Sequence, residues 1–596
     1  MVRRGVLGIV AAACGALLAP ALATADVRAG AAVVDASWHV GASAGQYASD
    51  GTFGVDPAAG TYDPTVHSYR RGASYGIQSR LEVRALVIEG PDGNRLAIAK
   101  TDQYIPQDLL YRRAAQLLES EGDCGITAET LTMTASHDHS SPMYSSTSWG
   151  VWAFQDVFDV RFYTYLADRI FAAVERACEK LVPVRVGAAV GRFDKTHRHS
   201  FGPAIGDDGT PAGYPFDNTD PDLSVVRFDD VSRPGKPKPL ANLVNWSGHP
   251  EFLDGNDLIS ADYYGPAQRM VDRETGAISI WTQGAVGTAE PERSSFHSVH
   301  ERLEFSHKEY AQAEYAARLL TDTFVDVWKG VRSGSPPDPS RYLPFDRDFQ
   351  VAISDRWYPG PLSHPYPGVS NCRADSGLAG DPLLPVVGLP DCQGARAGLE
   401  SLSDLLGLPE PPLPDTPAID PGLSTDDFQA LGIPVPENYS APSYTGLEED
   451  IDVHLQGIRL GEIYLPICSC EQWFDQSANI ETRTDRVAGN EHLGYDWGAR
   501  CTDADGGEDG PWTCPNPHDP AQSLPPISDH RYRRMRAQVN NPANGWNELE
   551  NVLTAESEPV DPEQIKGNYT HDDDARSAAL GYRLTIPISM ANDYNG

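Results

Sequence analysis

Apolar strand-like segments alternate with amphipathic helical segments from about residue 79 to residue 330. SRLEVRALVIEG and NRLAIAKTDQY flank Pro91-Asp92-Gly93-Asn94, a pattern that predicts a β-hairpin. Further strands are predicted in ETLTMTAS, KPLANLVNWS and AISIWTQ, and helices over about 107–121, 157–181, 264–274 and 308–330. The alternation predicts an α/β (α+β) fold in which central mixed β-sheets are flanked by helices.

Two long stretches interrupt this pattern. Residues 333–443 are rich in proline and glycine, as in SGSPPDPS and PEPPLPDTP, and residues 485–574 are also irregular. Between them, IDVHLQGIRLGEIYLPI predicts a second hairpin, and YRLTIPISM near the end predicts a strand. We therefore expect one domain over residues 26–596 with two long insertions.

The N-terminus has the pattern of a secretory signal peptide. Arg3 and Arg4 precede an apolar run that ends in Ala23-Thr24-Ala25, which predicts cleavage after residue 25. A lipobox ending at Cys14 is the alternative. No later stretch approaches the roughly 20 apolar residues of a membrane span, so we expect a secreted, extracellular protein without a transmembrane segment.

Eight cysteines remain after the predicted signal peptide, which is an even number that suggests up to four disulfides in an exported chain. Cys372–Cys392 and Cys501–Cys514 would each close a short loop rich in proline and glycine. Cys468-Ser469-Cys470 could instead bind a soft metal, although its spacing matches no standard zinc pattern.

The net charge of −37, from 84 acidic and 47 basic residues, argues against nucleic acid as a partner. The acidic residues are spread along the chain, which is typical of a solvated surface. The oligomeric state cannot be predicted from these features.

Possible metal ligands follow three predicted strands. His137 and His139 follow ETLTMTAS, His249 follows KPLANLVNWS, and Glu471 follows IYLPICSC. Ligand sites of open α/β sheets form beyond the carboxyl ends of strands, and histidines with one carboxylate are a common catalytic zinc set. Each of these residues alone is also consistent with a polar surface turn.

The order of TASHDHSSP, NWSGHPEFL, LISADYYG, WTQGAVGTAEP and LPICSCEQW resembles the neutral (non-lysosomal) ceramidase family. The resemblance runs from about residue 31 to the last residue. It implies a secreted hydrolase that binds one Zn²⁺ and cleaves the amide of N-acylsphingosine.

The resemblance also implies roles for single residues. The zinc histidines of the family fall on His137 and His249, its zinc glutamate falls on Glu471, and His139 stands beside the metal for proton transfer. The fourth ligand of the family is a tyrosine in an N-x-Y-x-x-Y segment. Here Asn592-Asp593-Tyr594-Asn595-Gly596 ends before that position, so we expect either that the chain is truncated at its C-terminus or that Tyr594 substitutes.

Several positions depart from the pattern of the family. Glu290 stands in place of the serine of the family, and Thr288 in place of an aspartate. Cys470 and Ser141 each replace a glycine. Because no serine stands at the required place, an acyl-enzyme mechanism is disfavoured, and Glu290 becomes a candidate catalytic residue.

These observations predict an N-acylsphingosine hydrolase that uses zinc-activated water, with His139 or Glu290 passing a proton to the leaving amine. Asp102 and Asp262 are candidates to orient a ligand histidine, although Asp102 could equally cap a turn and Asp262 a helix. Two alternatives remain: a zinc hydrolase of a different amide or ester, and a non-catalytic secreted binding protein on a decayed hydrolase scaffold. The expected partner is a lipid or other acyl-amide substrate.

Overall fold

The computed structural model describes residues 26–45, 74–142, 160–198, 219–253, 258–291, 308–361 (without 340 and 348), 450–472 and 582–592, together with six short strands between residues 204 and 523. The predicted signal peptide, Tyr594, the possible cysteine pairs at 372–392 and 501–514, and most of both predicted insertions lie outside the described residues.

Four α-helices and twenty-three strands lie in the described part of the chain. The helices are α1 (Asp108–Glu121), α2 (Val160–Cys178), α3 (Tyr264–Thr275) and α4 (Lys308–Ser333). The strands are β1 (Arg28–Asp35), β2 (Gly76–Ile77), β3 (Glu82–Glu89), β4 (Arg95–Thr101), β5 (Leu131–Ala135), β6 (Val182–Arg192), β7 (Thr196–Arg198), β8 (Ala204–Ile205), β9 (Pro211–Ala212), β10 (Asp222–Asp230), β11 (Lys238–Trp246), β12 (Leu258–Ile259), β13 (Ile278–Gln283), β14 (Ala289–Pro291), β15 (Tyr342–Asp346), β16 (Val351–Pro361), β17 (Asp450–Leu460), β18 (Ile463–Cys468), β19 (Thr502–Asp503), β20 (Trp512–Thr513), β21 (Pro515–Asn516), β22 (Asp519–Ser523) and β23 (Leu584–Thr585).

A mixed nine-stranded sheet forms the centre of the fold. Its order is β13-β11-β10-β6-β1-β3-β4-β5, and β15 pairs with β6. The β13–β11 and β4–β5 pairs are parallel, and the pairs between them are antiparallel. A second sheet has the order β16-β17-β18-β23. The predicted α/β (α+β) class is therefore confirmed.

The strands of the large sheet bury both faces. In β3, Val83 and Ala85 pack with α1 and α2, whereas Leu86 and Ile88 face a core shared with the four-stranded sheet. Helices α3 and α4 cover the half of the sheet formed by β10, β11 and β13. The result is three layers: helices, the large sheet and the small sheet. Burial on both faces explains why these strands are apolar at consecutive positions.

Residues 582–592 join the two sheets. The backbone N–H groups of Ile586 and Ile588 donate to β18. Farther along, Ala135 of β5 donates to the carbonyl oxygen of Met590 at 2.9 Å, and Ser589 donates to Gln283 of β13 at 2.9 Å. This segment therefore holds the ends of β5, β13 and β18 beside one another.

Both predicted hairpins are confirmed, as β3–β4 and β17–β18. The stretch that the sequence predicts as the first insertion, residues 333–443, begins with regular structure. Strands β15 and β16 continue the fold to Pro361, and β16 pairs with β17 along eleven residues. Phe349, Val351 and Ile353 recur at every second position and mark the start of this strand, but the surrounding prolines conceal it.

Two disulfides lie within the described residues. Cys124 at the end of the α1 region is bonded to Cys178 at the end of α2, and Cys468 is bonded to Cys470. The first pair could not be deduced from spacing, since 54 residues separate its cysteines. Cys468 and Cys470 are thus bonded to each other, where the sequence also allowed a soft metal site.

Among the described helices, none is both long enough and apolar enough to cross a membrane.

We expect Asn592→Ala to lower the free energy of unfolding by about 1–3 kcal/mol, because it leaves a buried donor unpaired. Asn592 Oδ1 accepts a hydrogen bond from the Met133 N–H at 2.7 Å, and its Nδ2 donates to Gln456 at 2.6 Å. Asn592 also has a φ of +65°, which alanine tolerates poorly. Thermal or urea unfolding measures the effect.

Asn94→Ala is the matched control, since Asn94 lies exposed in the β3–β4 turn. It should change stability by no more than about 0.5 kcal/mol. Equal losses in the two variants would show that residues 582–592 do not join the sheets as described.

Candidate metal centre

The stretch that follows β5 leaves the strand geometry at once. His137 has a φ of +62°, in the left-handed region that a residue other than glycine seldom adopts. Hydrogen bonds on both sides hold it there: the Ser136 N–H donates to Thr101 at 2.9 Å, and the Asp138 N–H donates to Gln103 at 3.1 Å. Because of this turn, the rings of His137 and His139 meet edge to face with centroids 4.8 Å apart.

His249 reaches the same place from β11. Its backbone N–H donates to Ala289 of β14 at 2.8 Å. Gln283, the last residue of β13, donates through Nε2 to the carbonyl oxygen of Ser136 at 2.5 Å and accepts from Tyr264 at 3.0 Å. The ends of β5, β11 and β13 are thus tied together by buried hydrogen bonds.

Glu471 follows β18 and is brought to the histidines by its two neighbours. The carbonyl oxygen of Cys470 accepts from the Met590 N–H at 3.0 Å, and that of Gln472 accepts from the Gly287 N–H at 3.0 Å. The segment 582–592 and the loop after β13 therefore place this glutamate.

The donor atoms of His137, His249 and Glu471 converge on one point. Nε2 of His137 lies 3.0 Å from Nε2 of His249 and 3.2 Å from Oε1 of Glu471, and Nε2 of His249 lies 3.9 Å from Oε2 of Glu471. A tetrahedral zinc ion with bonds of about 2.0–2.1 Å separates its ligand atoms by about 3.3 Å. The donor types and their spacing therefore fit a divalent metal. One ring nitrogen of His139 belongs to the same group, within 4.8 Å of a ring nitrogen of His137 and of His249.

The protonation of these histidines also suits metal binding. Nδ1 of His137 lies 3.0 Å from the carbonyl oxygen of Tyr104, so its N–H points there and Nε2 keeps its lone pair. Burial, and then the neighbouring His137 and His249, lower the pKa of His139 well below its usual value. Burial likewise lowers the pKa of His249. Neutral imidazoles are the form that binds metals.

Two glutamates lie behind the histidines. Oε1 of Glu290 is 3.4 Å from Nδ1 of His249, and Oε1 of Glu251 is 3.3 Å from Nδ1 of His139. Burial and the adjacent Glu290 raise the pKa of Glu251 to about 8. Sequence reasoning missed Glu251, although it stands two residues after His249. It also missed the Tyr104 carbonyl, because every residue has a backbone carbonyl and the residue type does not reveal which one makes a contact.

The predicted orienting aspartates have other contacts. Asp102 is paired with the buried Lys100 and accepts from the Glu82 N–H at 2.8 Å. No described contact joins Asp102 to a histidine of the site. Asp262 accepts from the Leu253 N–H at 2.8 Å, and so it fixes the turn that follows His249 and Glu251. Asp138 accepts from the Ser140 N–H at 2.9 Å.

Comparison with solved structures finds proteins with a similar fold. The chain resembles a ceramidase complexed with C2, with a TM-score of 0.51 and 15% identity, over 96% of this chain and 69% of that one. It shares its fold with a ceramidase. Neutral ceramidase from Pseudomonas aeruginosa aligns at a TM-score of 0.49 and 16% identity, over 77% of this chain. The chain spans 65% of the length of that bacterial protein.

No family model matches the chain, and no curated protein matches it. The similarity to the ceramidase therefore establishes the fold. The functional argument depends on the residues of this chain: a buried group of three histidines and one glutamate that could hold a metal, with two more glutamates behind it.

We expect Gly45→Ala to destabilise the protein by about 1–3 kcal/mol more than Gly93→Ala. Gly45 has a φ of +114°, and a Cβ there would overlap the carbonyl oxygen of His139. Gly93 also has a positive φ, of +85°, but a Cβ there would meet nothing within 4 Å. Both variants share the backbone cost, so the difference in unfolding free energy reports the contact with His139. Equal costs would contradict this close approach.

Proposed function

We propose that the protein is a secreted zinc-dependent hydrolase of the ceramidase kind, which cleaves the amide of an N-acylsphingosine-like lipid. The convergence of His137 Nε2, His249 Nε2 and the Glu471 carboxylate within 3.0–3.9 Å supports this proposal most directly. The shared fold with a ceramidase and the order of the sequence motifs point to the same chemistry.

In this proposal His137, His249 and Glu471 hold the zinc ion. When bound, zinc lowers the pKa of a water molecule to about 7 and polarises an acyl carbonyl. The Tyr104 carbonyl keeps Nε2 of His137 deprotonated toward the metal. The Tyr104 ring stacks on His137 with centroids 4.6 Å apart and meets His139 edge to face at 4.4 Å. It therefore restrains both imidazoles.

His139 moves the proton. Its ring lies beside those of His137 and His249, with centroids 4.8 Å and 5.7 Å away, and a neutral imidazole there can accept a proton from the attacking water and pass it to the leaving amine. Glu290 lies behind His249, at 3.4 Å from its Nδ1. That position favours His139 over Glu290 as the group that reaches the substrate.

A second candidate function is zinc hydrolysis of a different amide or ester. The glutamate pair behind the histidines favours it, since Glu290 stands where the ceramidase pattern has a serine and Glu251 lies against it. Two carboxyl groups at this place make the surroundings of the proposed zinc ligands more polar than a serine would.

The Cys124–Cys178 disulfide supports secretion in this proposal, because disulfides persist in oxidising compartments.

We expect the purified protein to hold about one zinc per chain, and His249→Ala and Glu471→Ala to hold close to none, because each removes a ligand. Metal analysis after gel filtration measures the zinc content.

His454→Ala is the matched control. His454 is also buried and also contacts a carboxylate, Asp355, at 2.5 Å, but it lies outside the cluster. The control should keep its zinc. Unchanged zinc in both ligand variants would refute the set, and a wild-type protein without metal would favour a binding protein.

We expect the zinc-loaded protein to release fatty acid from N-acylsphingosine, and His139→Ala to lower kcat by about 10²–10⁴-fold while its zinc content stays the same. The loss follows from removal of the proton-transfer group. Release of fatty acid is measured directly, in parallel with other N-acyl amides and esters. Hydrolysis of one of those in place of N-acylsphingosine would select the second candidate function.

A further inference from the structure

Each of the three clustered histidines has an oxygen atom behind its Nδ1. For His137 this is the backbone carbonyl of Tyr104, at 3.0 Å. For His139 and His249 it is a side-chain carboxyl oxygen, at 3.3 Å and 3.4 Å. The Nε2 atoms of His137 and His249 point the opposite way, toward each other and toward Glu471. The contact of His137 is a hydrogen bond, and the contacts of His139 and His249 are ion-pair distances between a ring nitrogen and a carboxyl oxygen.

The backbone determines where the carboxyl groups lie. Glu290 is the central residue of β14, whose preceding residue, Ala289, accepts the His249 N–H at 2.8 Å. Glu251 stands two residues after His249, in a turn that Asp262 holds through the Leu253 N–H. The backbone of each glutamate already lies beside the histidine that its carboxyl group contacts. The fold therefore sets the position of both carboxyl groups.

A carboxyl oxygen of Glu251 and one of Glu290 also lie within 4.8 Å of each other and of a ring nitrogen of His249. The two carboxyl groups and His249 therefore form one compact group.

A carboxylate behind the distal nitrogen of a histidine selects the tautomer, fixes the ring and makes the other nitrogen a better ligand. We propose that Glu251 and Glu290 form a carboxyl pair that positions His139 and His249, with Glu290 setting the metal affinity of His249. Glu290 is then a positioning residue, in the place where the ceramidase pattern has a serine. The proposal rests on the proposed ligation of zinc by His249.

The test compares the zinc affinity of two isosteric variants by chelator competition. We expect Glu290→Gln to weaken zinc binding about 10–100-fold, because Glu290 faces a ligand. Glu251→Gln should keep nearly the wild-type affinity, because it faces His139, which is not a ligand in the proposed set. The optical spectrum of the Co²⁺-substituted protein should change in Glu290→Gln and stay close to wild type in Glu251→Gln.

Asp355→Asn is the control for general damage, since its carboxylate contacts His454 rather than the cluster. It should leave zinc affinity unchanged, and thermal unfolding of the metal-free proteins shows whether each variant folds.

Wild-type affinity in Glu290→Gln, or equal weakening in both glutamate variants, would overturn the positioning role alone. Two zinc ions in the wild type that fall to one in Glu290→Gln would overturn it in favour of a second cation on His249, Glu251 and Glu290. A wild type that binds no zinc would refute the proposed function itself.

Discussion

The hydrogen bonds of residues 582–592 are the constraint on which the candidate metal centre depends. This segment pairs with β18 on one side and with the ends of β5 and β13 on the other. Two sheets that share only an apolar interface could slide over each other, because dispersion and apolar burial are not directional. Directional backbone bonds remove that freedom. They set Glu471, after β18, within 3.2 Å of His137, after β5.

Local backbone strain is concentrated around the same point. Among the described residues, those other than glycine with positive φ are His137, Asp262, Met590 and Asn592. Each lies in the centre, in the turn beside it or in the segment that joins the sheets. Such conformations persist only where surrounding contacts over-determine them, and they are frequent at functional sites. Here the hydrogen bonds of Ser136, Asp138 and Leu253 provide those contacts.

The fold class was predictable because burial on both sheet faces produces apolar runs, and turn residues divide them. The three strand ends that bring His137, His249 and Glu471 together were predictable for the same reason. The sequence could not predict how the sheets are joined, since residues 582–592 form hydrogen bonds through backbone atoms that every residue type has. Glu251 was overlooked because its neighbour in space, His139, lies 112 positions away in sequence. Asp102 was a candidate either to orient a histidine or to cap a turn, and the sequence did not indicate its pairing with Lys100, whose buried ammonium group needs a counter-charge.

The long separation of the joined segments also bears on how the centre assembles. Ala135 and Met590 are hydrogen-bonded neighbours, yet 455 positions separate them in the chain. Contacts of such high order form late, after more local structure has closed the intervening loops. Glu471 can therefore face His137 only once residues 582–592 have been synthesised and have paired with both sheets. The cluster of His137, His249 and Glu471 is thus a product of long-range pairing and not of any local segment of the chain.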